Sequence, residues 1–309
     1  MPNPVFHPLC PIAARLALVI SAMAVALPAT ARNAPDSAPA SIVQGPVGMI
    51  DSGVTAPAAA PAQTYADLVD LALSSPVVVK AVVHRQTRLK PEVSPGLAAG
   101  YARLYIEADT AALLVGPVLG ESLRYLADVP LDAAGKVPKL SKSPVLLFGA
   151  TVPGKPGELL LTASDTMLPW TAALDARVRA ILTELVSPDA PPRITALREA
   201  LHVPGNLVGE GETQFFFATD NARPMSITVV RRPGEPTRWG VSFTEIVDQA
   251  AQPPAPETLA WYRLACSLPQ AVPDKAAISA TEADKRIADE DYRLVRESLG
   301  ACRRNRRGG

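Results

Sequence analysis

The sequence contains little cysteine, histidine or aromatic residue, the side chains from which metal centres and stacking platforms are most often built. Its 309 residues include three Cys and three His, and 5% are aromatic. No Cys-x-x-Cys, His-x-His or His-Glu-x-x-His spacing occurs, which excludes the clustered ligand patterns of zinc sites. We therefore predict no metal site.

The glycine patterns of nucleotide-binding and hydrolase folds are also missing. The stretch GEGETQ has Gln214 where a dinucleotide fingerprint has its third glycine, and no P-loop occurs. The stretches GESLR and GVSFT lack the closing glycine of a nucleophile elbow. We predict no cofactor and assign no catalytic residue, while the many carboxylates leave a glycosidase-type pair open.

One short motif resembles a protease motif. Asp51, in GMIDSGV, has the form of the aspartate box of subtilisin-like proteases, and Asp-Ser-Gly alone has the pepsin form. A subtilisin-like triad also needs a His and a Ser box, a pepsin-like site needs a second such Asp, and the sequence contains none of these. We interpret Asp51 as a chance match within a linker.

The first 31 residues have the pattern of an export signal. Arg15 precedes an apolar run of about a dozen residues, 16–27, and Pro28 and Ala29-Thr30-Ala31 follow as a cleavage region. A membrane anchor is the alternative, but the run is shorter than the roughly 20 residues that a spanning helix needs. We predict a signal peptide over 1–31 and a periplasmic or secreted protein, from a bacterium by its Ala-, Pro- and Arg-rich composition.

Neither sign of charge is in excess, and no long apolar run follows the signal. The chain has 30 basic and 30 acidic side chains, so we expect no strong binding of nucleic acid by its folded body. The mature chain is predicted to be soluble, without a transmembrane segment.

Two cysteines remain after Cys10 leaves with the signal. In an oxidising compartment Cys266 and Cys302 are expected to form a disulfide, the alternative being two separate buried thiols. Periodicity places both on the apolar faces of helices, the second running from about Thr281 to Ala301 with Ser279 and Glu282 as its capping box. Closing this loop would add about 3–4 kcal/mol of stability.

The chain divides into five parts by composition and periodicity. After the signal, residues 32–63 form a Pro/Ala-rich disordered linker. Residues 64–190 begin with a helix capped by Thr64, continue as five strands in an antiparallel, barrel-like domain, and end with a closing helix. Residues 191–302 are predicted as a β-meander plus two helices, and 303–309 as a frayed basic tail. The fold class is α+β, with two mainly antiparallel β regions and covering helices.

The first of these regions resembles a group of known domains. The run from YADLVDLALSSPVVVKAVV through ARLYIEADTAALL to PVLLFGATV is similar to the opening of exported OB-like barrel domains, over about 64–165. The whole chain also resembles uncharacterised exported bacterial proteins. The resemblance implies a β-barrel-type N-terminal region and no activity.

The two remaining histidines and the arginine tail are the candidate functional residues. His84 lies on the polar face of its strand and His202 at the end of another, and each is interpreted as a surface or hydrogen-bonded residue.

Phe216 and the flanking Phe215 and Phe217 are interpreted as a strand buried on both sides, with an aromatic contact surface as the alternative. The tail is predicted to be solvated, with contact to an anionic surface as the alternative; its arginines are Arg303, Arg304, Arg306 and Arg307.

These features favour an exported, soluble, non-catalytic protein that binds or scaffolds a protein or another component of the bacterial envelope. A periplasmic hydrolase without a sequence signature is the alternative. That alternative would gain if His84 or His202 lay in a pocket with a carboxylate within hydrogen-bond reach.

Overall fold

A computed structural model describes residues 63–244 and 251–306 of the chain. The predicted signal peptide, Asp51 and all but the last residue of the predicted linker lie outside the described residues. Those residues form two antiparallel sheets and four α-helices, so the predicted α+β class is confirmed. No helix in 63–244 or 251–306 combines the length and apolar character that crossing a bilayer requires.

The first sheet and its helices come first in the chain. The strand order is β3-β2-β1-β4-β5, and β6 pairs with the free part of the β4 edge beside β5. The elements are α1 Tyr65–Ser74, β1 Val77–Arg88, a 3-10 turn Pro91–Val93, β2 Tyr101–Val115, β3 Ser122–Pro130, β4 Pro144–Thr151, β5 Leu159–Leu161, β6 Met167–Pro169 and α2 Ala172–Val186.

Local sequence explains where these elements begin and end. Thr64 and Asp67 form a reciprocal capping box at the start of α1, as predicted for Thr64 as the cap. Alternation along β2 and β3 buries every second side chain. β4 is paired on both edges and buried over five consecutive residues, which confirms it as a central strand. The short β6 was not predicted.

The first sheet is not closed into a barrel, so the prediction of a barrel-like domain is wrong. β3 and the segment around β5 form no ladder: they share an isolated bridge between Arg124 and Glu158 and backbone hydrogen bonds from Arg124 to Gly157 and from Asp128 to Ser164. β5 has three residues, which is too short to run along β3. A cavity of about 370 Å³ lies beside these edges, lined in part by Leu126 and Leu160.

The second sheet is a four-stranded meander in the order β10-β9-β8-β7, as predicted for this region. Hairpin loops follow three of the four strands, so the first and third loops lie at the same end of the sheet. Its strands are β7 Ile194–Pro204, β8 Gly211–Thr219, β9 Met225–Arg231 and β10 Arg238–Ser242, and the elements after them are α3 Leu259–Ala265, a 3-10 turn Asp274–Ala276 and α4 Glu282–Leu299.

The N-terminal cap of α4 differs from the prediction. Thr281, and not Ser279, is the N-cap, and its hydroxyl accepts the N–H of Asp284. Ser279 lies beside β7 instead, where its hydroxyl accepts the N–H of His202 at 3.0 Å. Ser279 and Thr281 both have a hydroxyl that can cap a helix. Because the Ser279 hydroxyl bonds to β7, Thr281 is the residue that caps α4.

The helices cover one face of each sheet. The outer face of the first sheet packs against α1, α2 and α3, through residues such as Val78, Leu146 and Phe148. One face of the second sheet packs against α3 and α4, with Phe215 edge-to-face on Tyr292 at 5.2 Å between ring centroids. Phe216, in contrast to its two neighbours, is only partly buried, so this strand is not fully buried on both faces.

The predicted disulfide between Cys266 and Cys302 is present, with 5.1 Å between the two Cα atoms. It links the end of α3 to the segment that follows α4.

The predicted frayed tail is wrong for residues 303–306, which we call the C-terminal strap. Arg304 pairs with Asp70 of α1 at 2.6 Å and Arg306 with Asp165 at 2.8 Å. The N–H groups of Asn305 and Arg306 donate to the carboxylate of Asp67. Acidic side chains of residues 64–190, which we call the first region, therefore bind the strap.

Candidate functional site

The first and third hairpin loops of the second sheet enclose a cleft at the end they share. This cleft, which we call the hairpin cleft, has a volume of about 670 Å³. It is lined by the loop residues 204–206 and 210, by strand residues of β7 to β9, and by the loop and strand residues Arg232, Glu235, Pro236 and Arg238. Strand twist and the two loops together give this end of the sheet its concave form.

Most charged groups that line the hairpin cleft have a partner among the described residues. Arg238 lies 3.5 Å from Glu235 across the third loop. The side-chain amide of Gln214 donates to Glu212 at 2.7 Å. Arg232 is exposed and has no carboxylate within ion-pairing distance in the part of the chain that the structure describes. It is therefore the guanidinium most available to a ligand.

The loop between β7 and β8 is shaped by Glu210. Its carboxylate accepts the N–H groups of Asn206 and Leu207 at 3.1 and 3.3 Å. Gly205 is required here, because a Cβ at this position would lie 2.5 Å from the Glu210 side chain. The folded loop leaves Leu207 63% and Val208 100% exposed at its tip, which is an unusual position for two apolar residues.

A second cavity, which we call the inner pocket, lies against the same loop and has a volume of about 400 Å³. His202 lies at the base of the loop and Ile287 of α4 at its side, and Arg231 is shared with the hairpin cleft. The remaining lining is the loop itself, residues 204–210. The inner pocket therefore places one buried imidazole among loop residues.

His202 belongs to a chain of hydrogen bonds that ends at a buried ion pair. Its Nδ1 lies 2.8 Å from the Thr213 hydroxyl, and that hydroxyl donates to the carboxylate of Asp291. Arg231 donates to the other oxygen of Asp291, at 2.7 Å from Nε and 2.6 Å from Nη2. Asp291 is completely buried, so the guanidinium supplies the charge compensation that a buried carboxylate requires.

This arrangement decides which imidazole nitrogen carries the proton. A hydroxyl has one hydrogen, and Thr213 gives it to Asp291, because an ionised carboxylate can only accept. Thr213 must then accept from His202, so Nδ1 of the neutral imidazole is protonated and Nε2 carries a lone pair. The ring packs on Gly211, where a Cβ would lie 2.6 Å from Cε1 and 2.8 Å from Nε2.

The structure separates the two histidines singled out from the sequence. His84 is exposed on β1. His202 is 3% exposed and hydrogen-bonded, which agrees with one of the two interpretations made for it. The carboxylate of Asp291 is connected to His202 through the Thr213 hydroxyl. The hydrolase alternative called for a carboxylate within direct hydrogen-bond reach of the histidine, so this condition is met only in part.

Sequence reasoning did not find Thr213, Arg231 or Asp291. Asp291 lies three residues after Ala288 and four before Val295, on the apolar stripe of α4. Thr213 alternates with Phe215 and Phe217 on the buried face of β8. A polar residue at a core position of α4 and another at a core position of β8 were the available sequence signal for this buried cluster.

A second polar cluster joins the first region to the C-terminal strap. The Tyr262 hydroxyl donates to Asp70 at 2.5 Å, and Arg304 pairs with the same carboxylate. Burial, with the hydrogen bond to Asp70, raises the pKa of Tyr262 to about 12. Tyr262, Asp70 and Arg304 are bonded to one another, so we interpret this cluster as a structural contact between α1, α3 and the C-terminal strap.

The function has to be inferred from this geometry. No protein-family model and no curated protein matches the sequence.

Proposed function

We propose that the protein is an exported, soluble, non-catalytic binding or scaffolding protein of the bacterial envelope, and that its ligand binds in the hairpin cleft. The export pattern of residues 1–31 supports the location. The disulfide between Cys266 and Cys302 supports it too, since such bonds persist in oxidising compartments.

The observation that carries the proposal is the hairpin cleft itself. Its volume of about 670 Å³ falls within the range of about 300–1,000 Å³ that is usual for small-molecule sites. The unpaired Arg232 points to polar recognition, and the exposed tip residues Leu207 and Val208 add apolar contact area beside it. The predicted role of the tail in surface contact is not part of this proposal, because Arg304 and Arg306 are paired within the chain.

The first test is the native mass of the protein recovered from outside the cytoplasm, without reductant. We expect a chain that begins at Arg32 and is about 2 Da lighter than the dithiol form, with added mass from a bound ligand. An uncleaved, reduced chain would overturn the export proposal.

The second test locates the ligand. Arg232→Gln should lower the occupancy of the ligand seen by native mass, because it removes the unpaired guanidinium of the cleft. Arg88→Gln, an exposed arginine at the end of β1, is the matched control and should leave occupancy unchanged. Equal occupancy in all three chains would place the ligand elsewhere.

A hydrolase is the second candidate function, and one observation favours it. The lone pair of His202 Nε2 at the inner pocket, with Asp291 behind Thr213, is the arrangement of a general base that could activate water. The test is turnover of p-nitrophenyl acetate and p-nitrophenyl glycosides by the wild-type chain and by His202→Gln. A rate that His202→Gln abolishes would favour the hydrolase, and equal rates would favour the binding protein.

A further inference from the structure

The inner pocket is lined by an imidazole with a free acceptor nitrogen. His202 is 3% exposed, and its Nε2 makes no hydrogen bond with any residue in 63–244 or 251–306. The chain from Thr213 through Asp291 to Arg231 fixes the proton on Nδ1. Nε2 is not sealed from solvent and His202 lines the inner pocket, so a ligand group that donates can bond to it.

The same pocket presents donors that lack acceptors. Arg231 uses Nε and Nη2 on Asp291 and leaves Nη1 without a hydrogen bond to the described residues. The side-chain amide of Asn206, on the loop above, is likewise unbonded within that part of the chain. Glu210 adds a carboxylate on the acceptor side. Donors and acceptors are therefore mixed around one cavity.

This mixture excludes two ligand classes. A carboxylate or phosphate would accept from Arg231, but it cannot donate to His202 and is repelled by Glu210. An ammonium group would donate to His202 and Glu210, but it cannot accept from Arg231 and is repelled by its charge. A hydroxyl both donates and accepts without a charge, so it satisfies both sides of the pocket, as a carboxamide also does.

The geometry points to the inner pocket as a binding site for a neutral polyhydroxylated ligand, of which an envelope carbohydrate is the class that fits. Several donors and acceptors around about 400 Å³ match several hydroxyls on one molecule. Ile287 and Leu207 supply apolar surface for the C–H face of a sugar ring. This inference rests on the proposed binding function and adds to it a site next to the hairpin cleft, with which it shares Arg231.

The experiment combines a glycan array with imidazole NMR, using the exported full-length chain. The array carries neutral, uronic-acid and amino-sugar oligosaccharides, and we expect neutral ones to bind. Thr213→Val should weaken that binding by roughly tenfold or more, since it removes the hydroxyl that fixes the imidazole tautomer. Thr213→Ser keeps the hydroxyl and His84→Gln changes only the exposed histidine, so both should bind like the wild type.

The tautomer is measured separately. At about pH 8, where an ordinary histidine is neutral, the ¹⁵N spectrum of the wild-type chain should show His202 protonated at Nδ1 and not at Nε2. This measurement decides the acceptor role even if Thr213→Val does not fold. A proton on Nε2 would overturn the inference.

The remaining outcomes separate this inference from the proposed function. Binding of acidic or amino glycans alone, or of none, would overturn the carbohydrate site. If native mass still shows a ligand that Arg232→Gln removes, the binding function stands without it. If native mass shows no ligand and the array is blank, both proposals fail.

Discussion

The two sheets bury different chemistry beneath their strands. The strands of the first sheet enclose apolar side chains, and the buried polar residues of this part of the chain, Asp67, Ser75, Ser94 and Thr166, lie outside those strands. The helix-covered face of the second sheet buries His202, Thr213 and Asp291 among its apolar residues. Buried polar groups lower stability unless each is bonded, so the second sheet keeps groups that a purely structural core would not need. Under the proposed function, the first sheet supplies stability and the second sheet supplies the ligand chemistry.

The largest expected effect tests the structural side of this comparison. Phe148→Ala removes a ring that is fully buried between β4 and the helices, and we expect a loss of about 3–5 kcal/mol in the free energy of unfolding. Urea unfolding measures it. The His202 imidazole spectrum of the folded variant should match that of the wild type. A changed spectrum would show that the two sheets are coupled and would break the comparison.

The disulfide is next in size. The double variant Cys266→Ala with Cys302→Ala opens a loop with a sequence separation of 36, so we expect a loss of about 3–4 kcal/mol in the chain-entropy description. The control is the wild-type chain unfolded with and without reductant, where the difference should be similar. A loss below about 1 kcal/mol would mean that the bridge adds little beyond the packing of α3 and α4.

That bridge also shows what the sequence could and could not predict. Helical periodicity found the two helices whose ends the disulfide joins, although Cys302 lies beyond the end of α4 and not on it as predicted. Alternation found β1 to β4 and all four strands of the second sheet, because each signal depends on neighbouring residues alone. Closure of the first sheet depends on the length of β5 and the path after it, which no local pattern encodes. The three residues of β5 leave β3 unpaired along most of its edge.

The site was less predictable than the fold for a related reason. His202, Thr213 and Asp291 are separated by 11 and 78 positions in the chain, and none of them belongs to a spaced motif. The strap was misjudged for a similar reason, since a run of arginines is typical of a solvated end. Only the fold brings Asp70 and Asp165 to Arg304 and Arg306.

Gly211 in the second sheet and Gly149 in the first offer a matched test of the comparison between the sheets, with a smaller expected loss of stability. A Cβ on Gly211 would contact the His202 ring at 2.6 Å, and one on Gly149 would lie 2.3 Å from the backbone oxygen of Leu160. Gly211→Ala and Gly149→Ala should each lower stability by about 1–3 kcal/mol through overpacking. Only Gly211→Ala should shift the His202 imidazole resonances and weaken ligand binding. Equal shifts of the His202 resonances in both variants would contradict the proposed division between a stabilising first sheet and a ligand-binding second sheet.

The smallest effect concerns Asp67, which holds the strap to the first region. Burial opposes ionisation of its carboxyl, but the N–H groups of Thr64, Asn305 and Arg306 outweigh this and hold its pKa below the ordinary value of 3.8. A carboxyl with a lowered pKa in the folded state stabilises the protein above its unfolded-state pKa, and this contribution is lost as the pH falls through the folded-state value. Asp67→Asn should therefore lower stability at pH 7 by about 0.5–2 kcal/mol, the size of a helix-cap loss.

As the pH falls through the folded-state pKa of Asp67, the wild-type carboxyl also becomes protonated, so the two stability curves should converge at low pH. Urea unfolding of both chains between pH 7 and pH 2.5 measures this difference. Asp109→Asn, on the exposed side of β2, is the control and should show no such pH-dependent gap. A gap for Asp67→Asn that stayed constant down to the lowest pH would mean that the side chain acts through its shape and not its charge. The charged contacts of the strap would then be the ion pairs of Arg304 and Arg306, which salt can screen, beside the neutral hydrogen bond from the Thr64 hydroxyl to the carbonyl of Arg303.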